Sequence, residues 1–355
     1  MKTLSHTSKN LWLLSAFGGL LLVLVFVLVA CGGGQQASST PTPNHGSNPG
    51  TTLLIYRGAH GSVSGVAWSP DGKYIASIGE EGSSVQIWDA LTGQLHSTYT
   101  VQYAGAGVSL PAWSPDGKYL VTGGCDSVAK VLDAKTGKLL LAYHGHAVSE
   151  QDACIAVAWS PNGRYIASGG NDNVQVWDAM TGQLRAKYGN GGVMSLAWSP
   201  DSTYVASGGD APTVQVWNAL TGKLLLTYRG HSAHVIGVIW SPDGKYIASA
   251  SSDYTVQVWD AMTGTRHLTY RAEANGGPAS LAWSPNGKYI VVSEFRESTP
   301  EENKSDVEVI DAKTGKLILT YRGHSSLVWS LSWSPDGTRI ASGSEDGTAQ
   351  IWQAP

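Results

Sequence analysis

Residues 240–270 read WSPDGKYIASASSDYTVQVWDAMTGTRHLTY, and this stretch decides the fold. It is one copy of a unit that recurs seven times along the chain. The opening Trp-Ser-Pro of the unit appears at Trp68, Trp113, Trp159, Trp198, Trp240, Trp283 and Trp333. Neighbouring copies therefore begin about 39 to 50 residues apart, a spacing typical of repeat architectures. A unit this short cannot bury its own apolar face and has to stack on its neighbours.

Each copy predicts four short strands separated by turns. A strand such as Val235 to Trp240 comes first, and the Ser-Pro-Asp-Gly that ends it predicts a tight turn, because Pro presets φ and Gly accepts a positive φ. The third strand, Thr255 to Asp260, alternates apolar and polar residues as a half-buried strand does. Since the pattern contains no apolar period of helix length, we expect an all-β protein made of antiparallel sheets set side by side.

The units resemble WD40 repeats over residues 51–355. Trp-Asp ends the predicted third strand at Trp88, Trp177 and Trp259. Gly-His precedes the predicted first strand at His146, His231 and His324. The resemblance implies a seven-bladed β-propeller, in which each repeat supplies one four-stranded sheet, or blade.

The resemblance also implies a hydrogen-bonded tetrad of His, Ser, Asp and Trp inside a blade. Two tetrads are complete by register: His231, Ser249, Asp253 and Trp259 in the fifth unit, and His324, Ser342, Asp346 and Trp352 in the seventh. The third unit keeps the same four residue types, but its Asp-to-Trp spacing is one residue shorter. A buried indole N–H or imidazole needs a partner, because each unsatisfied group costs about 1–3 kcal/mol. We interpret the tetrads as structural, since a serine nucleophile has to be exposed.

The closure of the ring is predicted by the two ends of the domain. Residues 51–56, TTLLIY, match the fourth strand of other units, such as KLLLTY at 223–228, yet they precede the first unit. The last unit stops after its third strand, at Trp352. We therefore expect Leu53 to Tyr56 to form the outer strand of the final blade, which removes the open end of the stack.

Residues 1–30 resemble a bacterial lipoprotein signal peptide. Lys2 and Lys9 give a basic start, an apolar run follows from Leu11, and Leu-Val-Ala precedes Cys31. The resemblance implies cleavage before Cys31 and a lipid on its sulfur. The apolar run is also long enough to remain as an uncleaved membrane anchor, so both forms stay open. Residues 31–50, rich in Gly, Ser, Thr and Pro, predict a flexible linker. We expect a lipid-anchored protein on the extracytoplasmic face of the cell membrane.

Three features break the repeat on the face that carries the Gly-His loops, here called the Gly-His face. They are the longer segment 147–154, the acidic segment 294–306, and Trp329, which replaces smaller residues of the other units. In propellers of this family that face commonly binds peptides. The candidate partner-binding residues are Trp329, Phe295, Arg296, Glu297, Glu301 and Glu302. Two plainer interpretations remain: the acidic segment 294–306 is a solvated insertion, and Trp329 packs between blades.

Cysteine and charge limit the remaining possibilities. Cys125 and Cys154 are an even pair in a chain expected to be exported, so they are a candidate disulfide; a buried thiol at Cys154 with a free thiol at Cys125 is the alternative. The net charge is −4. We find no basic stripe along the sequence and expect no nucleic-acid partner. The residues expected to line the channel are not ionisable, so neither a metal nor a cofactor is predicted.

The predicted function is a non-enzymatic scaffold for protein interaction, held outside the cytoplasm as a monomeric propeller that binds a protein or peptide on its Gly-His face. The alternatives are a small-ligand or hydrolytic propeller domain and a structural component of the envelope. The fold alone cannot choose among them, because propellers support many functions.

Overall fold

The computed structural model describes residues 48–58, 61–79, 84–100, 110–147, 155–189, 191–271, 277–294 and 306–355. These residues form 28 strands, arranged as seven four-stranded antiparallel sheets, which confirms the predicted seven-bladed propeller. None of them forms a helix long and apolar enough to cross a membrane. The predicted signal peptide, Cys31 and most of the predicted linker lie outside the described residues.

Each blade runs from an inner strand through two middle strands to an outer strand. The inner strands are β2 (Val63–Trp68), β6 (Ala112–Trp113), β10 (Ala156–Trp159), β14 (Val193–Trp198), β18 (Val235–Trp240), β22 (Pro278–Trp283) and β26 (Val328–Trp333). The second strands are β3 (Tyr74–Gly79), β7 (Tyr119–Gly123), β11 (Tyr165–Gly169), β15 (Tyr204–Gly209), β19 (Tyr246–Ser251), β23 (Tyr289–Glu294) and β27 (Arg339–Ser344).

The third strands carry the Trp-Asp signature, and the outer strands form the perimeter. The third strands are β4 (Ser84–Asp89), β8 (Ala129–Asp133), β12 (Val174–Asp178), β16 (Val214–Asn218), β20 (Thr255–Asp260), β24 (Val307–Asp311) and β28 (Ala349–Gln353). The outer strands of blades 1 to 6 are β5 (Leu95–Thr100), β9 (Leu139–Tyr143), β13 (Leu184–Tyr188), β17 (Leu224–Tyr228), β21 (Arg266–Arg271) and β25 (Leu317–Tyr321), and that of blade 7 is β1 (Thr52–Tyr56).

The two ends of the domain close the ring within blade 7, as predicted. Strand β1 pairs antiparallel with β28, with Tyr56 opposite Ala349 and Thr52 opposite Trp352. Beyond the strand, the Gln353 N–H donates to the carbonyl of Thr51 at 2.9 Å. The most N-terminal described strand is therefore joined to the last strand of the chain.

Side chains hold the two kinds of turn on the face opposite the Gly-His loops. In the first Ser-Pro-Asp-Gly turn, Ser69 Oγ donates to Asp71 Oδ1 at 2.6 Å and Gly72 adopts a φ of 70°. In the turn after the third strand, Asp89 Oδ1 accepts the N–H of Thr92 at 2.8 Å. In both turns a short Asp side chain accepts hydrogen bonds from groups that have no backbone partner in the turn. This requirement explains why the turn sequences recur.

The apolar core is divided into seven clusters, and each cluster lies between two neighbouring blades. One of them joins Tyr321 and Val307 of blade 6 to Trp333, Ile340 and Trp352 of blade 7. The largest contacts are stacked rings: an outer-strand Tyr lies on a third-strand Trp of the next blade. The ring centroids of Tyr321 and Trp352 are 4.4 Å apart. Because the cores lie between blades, no blade is stable without its neighbours.

Candidate functional site

The two tetrads predicted by register lie together in the structure. In blade 5, His231 Nδ1 is 2.9 Å from Asp253 Oδ2, and His231 Nε2 is 2.8 Å from Ser249 Oγ. Trp259 Nε1 donates to the same Ser249 Oγ at 3.1 Å. Blade 7 repeats this arrangement, with distances of 2.9, 2.8 and 3.2 Å among His324, Asp346, Ser342 and Trp352. Each tetrad thus links the loop before the blade to its second and third strands.

Blade 3 contains a third complete tetrad, although its spacing is not the one found in blades 5 and 7. His146 lies 2.7 Å from Asp172 and 2.8 Å from Ser168, and Trp177 donates to Ser168 at 3.0 Å. The missing residue falls in the turn after Asp172. Across the hairpin Ser168 still pairs with Gln175, as Ser249 pairs with Gln257 in blade 5. The tetrad depends on this pairing and not on the spacing along the chain.

The remaining blades keep part of the network or none of it. Trp88 donates to Ser77 at 3.0 Å in blade 1, and Trp217 donates to Ser207 at 3.2 Å in blade 4. Blade 6 replaces the serine by Val292 and the tryptophan by Ile310, and both side chains are buried. Replacing both partners of a hydrogen bond by apolar groups is nearly neutral, whereas replacing one is costly.

The tetrads are too buried to act on a substrate. Ser249 and Trp259 are fully buried, and the hydroxyl of Ser249 is shared between His231 and Trp259. Burial lowers the pKa of His231, and the bond to Asp253 offsets this only in part. A neutral imidazole satisfies every group: the indole N–H donates to Ser249, the hydroxyl donates to Nε2, and Nδ1–H donates to the carboxylate.

The carboxylate of the tetrad is held in its charged form. Burial alone would raise the pKa of Asp253, but hydrogen bonds from the Thr255 hydroxyl, the Ser232 N–H and His231 hold the pKa below its ordinary value of 3.8. The pKa of Asp172 and that of Asp346 move in the same direction. The native state therefore favours a neutral His231 beside a charged carboxylate.

These pKa shifts predict a loss of stability in mild acid. The native pKa of His231 lies below its ordinary value of 6.5, so below about pH 6.5 the unfolded chain takes up more protons than the native protein does. The lowered carboxylate pKa values add a second loss below about pH 4. We expect the urea midpoint to fall from pH 7.5 to pH 5, and a His231→Gln variant to show a smaller fall. A wild-type midpoint that stays constant over this range would contradict the assignment.

Exposed apolar side chains lie at the Gly-His end of the inner strands. Trp329, the second residue of β26, is 38% exposed. Met194 in β14 and Leu110, just before β6, are also exposed. The structure therefore places the side chain of Trp329 at the surface, where a partner can reach it.

Tyr254 is a candidate residue that the sequence interpretation missed. It lies in the turn between β19 and β20, on the Gly-His face, and is 40% exposed. Its φ of 67° is in the left-handed region, where blade 7 has Gly347 with a φ of 78°. A bulky residue in this conformation costs about 1–2 kcal/mol, and such strain gathers at functional sites. Comparing Asp-Tyr-Thr of blade 5 with Asp-Gly-Thr of blade 7 could have identified it.

The other predicted site residues are only partly described. Phe295, Arg296, Glu297, Glu301, Glu302 and Cys154 lie outside the described residues. Cys125 is disulfide-bonded. The Ile155 N–H donates to the carbonyl of Gly124 at 3.3 Å, so the backbone next to Cys125 contacts the start of blade 3. In the described part of the chain, no three His, Cys, Asp or Glu side chains form a group that could hold a metal ion.

Comparison with known proteins identifies the repeats. The WD40 model, described as "WD domain, G-beta repeat", matches residues 50–89, 97–133, 137–178, 182–218, 222–260 and 315–353. The unmatched stretch between the last two contains most of blade 6, where Val292 and Ile310 replace the polar pair.

Individual relatives match short parts of the chain. Protein HIRA of Zea mays is 39% identical over 72 residues, 20% of this chain and 8% of that protein. The serine-threonine kinase receptor-associated protein of Gallus gallus is 46% identical over 43 residues, 12% of each chain. The ribosome biogenesis protein BOP1 of Rattus norvegicus is 60% identical over 35 residues, 10% of this chain and 5% of that protein. The chain thus matches no more than about an eighth of the length of these relatives.

Proposed function

The chain belongs to the WD40 repeat family, and from this premise we propose that it is a non-enzymatic interaction scaffold, tethered outside the cytoplasm, that binds a protein or peptide on its Gly-His face. WD40 propellers typically mediate protein–protein interactions, and the names of the relatives above include a receptor-associated protein.

The tether is residues 1–50. Its support is the basic start, the apolar run and the Leu-Val-Ala-Cys sequence that ends at Cys31. Lipid on Cys31, or retention of residues 1–30 as a span, would hold the propeller at the membrane surface through the linker predicted at residues 31–50. The relatives named above are eukaryotic, so they provide no support for this part of the proposal.

One observation supports the proposed binding surface: two large aromatic side chains are exposed on the same face. Trp329 occupies a position where Ser64 and Ala279 suffice in blades 1 and 6. Tyr254 is held exposed in a strained backbone conformation that a glycine would adopt freely. Exposed Trp and Tyr are the side chains most enriched among residues that dominate binding energy. Apolar side chains of a peptide bound across the Gly-His face would contact them.

Two substitutions separate binding from folding. The full chain, as wild type, Trp329→Ala or Tyr254→Gly, is used as bait for an envelope extract, and captured proteins are quantified by mass spectrometry. We expect each variant to lose at least about tenfold of the captured partner, as truncation of a central aromatic anchor does. Tyr254→Gly should at the same time raise the free energy of unfolding by up to about 1 kcal/mol, because the left-handed strain is relieved.

Met262→Ala is the matched control, because Met262 is also exposed but lies in a turn on the opposite face. It should leave capture unchanged. The same partner bound equally by wild type, Trp329→Ala and Tyr254→Gly would show that this surface is not the binding site.

A further inference from the structure

The outer strands at the perimeter of the propeller are positively charged, whereas the net charge of the chain is negative. None of the seven outer strands, all of which the structure describes, contains Asp or Glu. Basic residues occur within these strands, as Arg185 and Lys187 do in β13, or directly before them, as Lys138 and Lys223 do. The net charge of the chain is −4. Carboxylates lie at the ends of the third strands, where Asp178 Oδ2 is 3.4 Å from Arg185 and the Asp133 N–H donates to the carbonyl of Lys138. The outer strands themselves carry only positive charge on an acidic protein.

The same perimeter exposes apolar side chains, most densely on blades 2 to 4. The exposed leucines there are Leu139, Leu140, Leu184, Leu224 and Leu225, and we call them the rim leucines. Exposed Met180 and Leu220 lie in the turns that lead into β13 and β17. Each rim leucine is between 41% and 49% exposed, although the third strands beside them bury their apolar residues. Apolar side chains exposed at the same end of three neighbouring outer strands indicate an interaction surface.

We infer that the rim leucines, with Lys138, Lys187 and Lys223 in or directly before the same strands, form a second membrane contact that rests on an anionic lipid surface. The inference depends on the membrane tether proposed above. Apolar side chains among lysines match the boundary between acyl chains and anionic headgroups, where leucine is buried and lysine meets phosphate. The rim leucines occupy the ends of their strands remote from the Gly-His face, so this contact leaves that face open.

A nucleic acid is the other polyanion that could bind a cationic perimeter. The side chains of the rim fit a lipid surface better than a nucleic acid. A nucleic-acid surface combines clustered Lys and Arg with aromatic rings on which bases stack. The outer strands of blades 2 to 4 place leucines between the cations, and leucine contributes nothing to phosphate binding. The tyrosines that end these strands, Tyr143, Tyr188 and Tyr228, are buried against the next blade. A lipid surface uses both the cations and the leucines.

Hydrogen–deuterium exchange of the full chain bound to vesicles tests the inference. Vesicles of neutral lipid and vesicles with anionic lipid are compared. With anionic vesicles, we expect amides of β9, β13 and β17 to exchange about tenfold more slowly than with neutral vesicles, and amides of β5 to be unchanged. L224S/L225S and K138Q/K187Q/K223Q should each abolish the difference, since each basic residue near an anionic surface adds appreciably to binding.

L95S is the matched control, because Leu95 is 48% exposed at the first position of β5, as Leu184 is in β13, but β5 and Gln94 before it supply no Lys or Arg. It should retain the protection. Protection that is absent, or equal around the whole perimeter, overturns the inference, and so does protection by a single-stranded oligonucleotide in place of vesicles. If the chain proves to have no anchor, the proposed tether fails separately: binding of the free protein to anionic vesicles, lost in L224S/L225S, still supports the rim contact, and no binding overturns it.

Discussion

Deleting residues 51–57 is expected to open the ring and to lower the melting temperature by at least about 10 °C, a loss on the order of 5 kcal/mol for a domain of this size. The deletion removes β1, so the edge of β28 loses its antiparallel partner. It also removes Tyr56, whose ring stacks on Trp88 of blade 1 at a centroid distance of 4.5 Å. Two junctions are lost at once: the fourth strand of blade 7 and the contact of blade 7 with blade 1.

Scanning calorimetry and light scattering measure the result. The exposed edge of β28 should pair with another chain, so that the variant becomes oligomeric or aggregates. A deletion of the same length in the linker, residues 40–46, is the control and should change neither property. An unchanged melting temperature together with a monomeric state after deletion of 51–57 would contradict the closure of the ring by β1.

The second large effect is expected from His231→Ala, at about 3 kcal/mol of unfolding free energy near pH 7.5. The substitution leaves the partly buried carboxylate of Asp253 and the buried hydroxyl of Ser249 without their shared partner, and each unsatisfied group costs about 1–3 kcal/mol. A cavity the size of an imidazole adds to the loss.

Urea denaturation followed by tryptophan fluorescence measures the change. His234→Ala is the matched control: His234 lies in the same loop, but its side chain is 53% exposed and 3.9 Å from Asp210. We expect it to cost less than about 0.5 kcal/mol, as exposed substitutions do. Equal effects of the two substitutions would rule out a stabilising role for the tetrad.

The parts of the fold that could be predicted are those encoded by short sequence motifs that recur in each repeat. The number of blades follows from Trp-Ser-Pro, and the closing strand follows from the likeness of residues 51–56 to 223–228. The tetrads of blades 5 and 7 could be aligned because their turns have equal length. In blade 3 the turn after Asp172 is shorter, and only the pairing of Ser168 with Gln175 shows that the network survives.

Two features of the proposed surfaces have no signal within a single repeat, for physical reasons. A positive φ at Tyr254 has no signature in composition, and it appears only when the turn is compared with that at Gly347. The cationic perimeter is built from one or two residues in each of blades 2 to 6, such as Lys138, Lys187 and Lys223, which lie far apart in sequence. These residues form no basic stripe along the sequence, because the fold gathers them only when seven outer strands are placed around one circumference.

The pairing of β1 with β28 has a consequence for the order in which the protein is made. Tyr56 leaves the ribosome long before Ala349, which pairs with it, because nearly the whole propeller lies between them in sequence. Blades 1 to 6 can fold as they emerge, while β1 has to wait for β28, and contacts so distant in sequence form slowly. A message cut short before the codon of Ala349 would yield a chain without β28, so that β1 and β27 both lose the strand that pairs with each of them, and quality-control proteases could recognise such a chain.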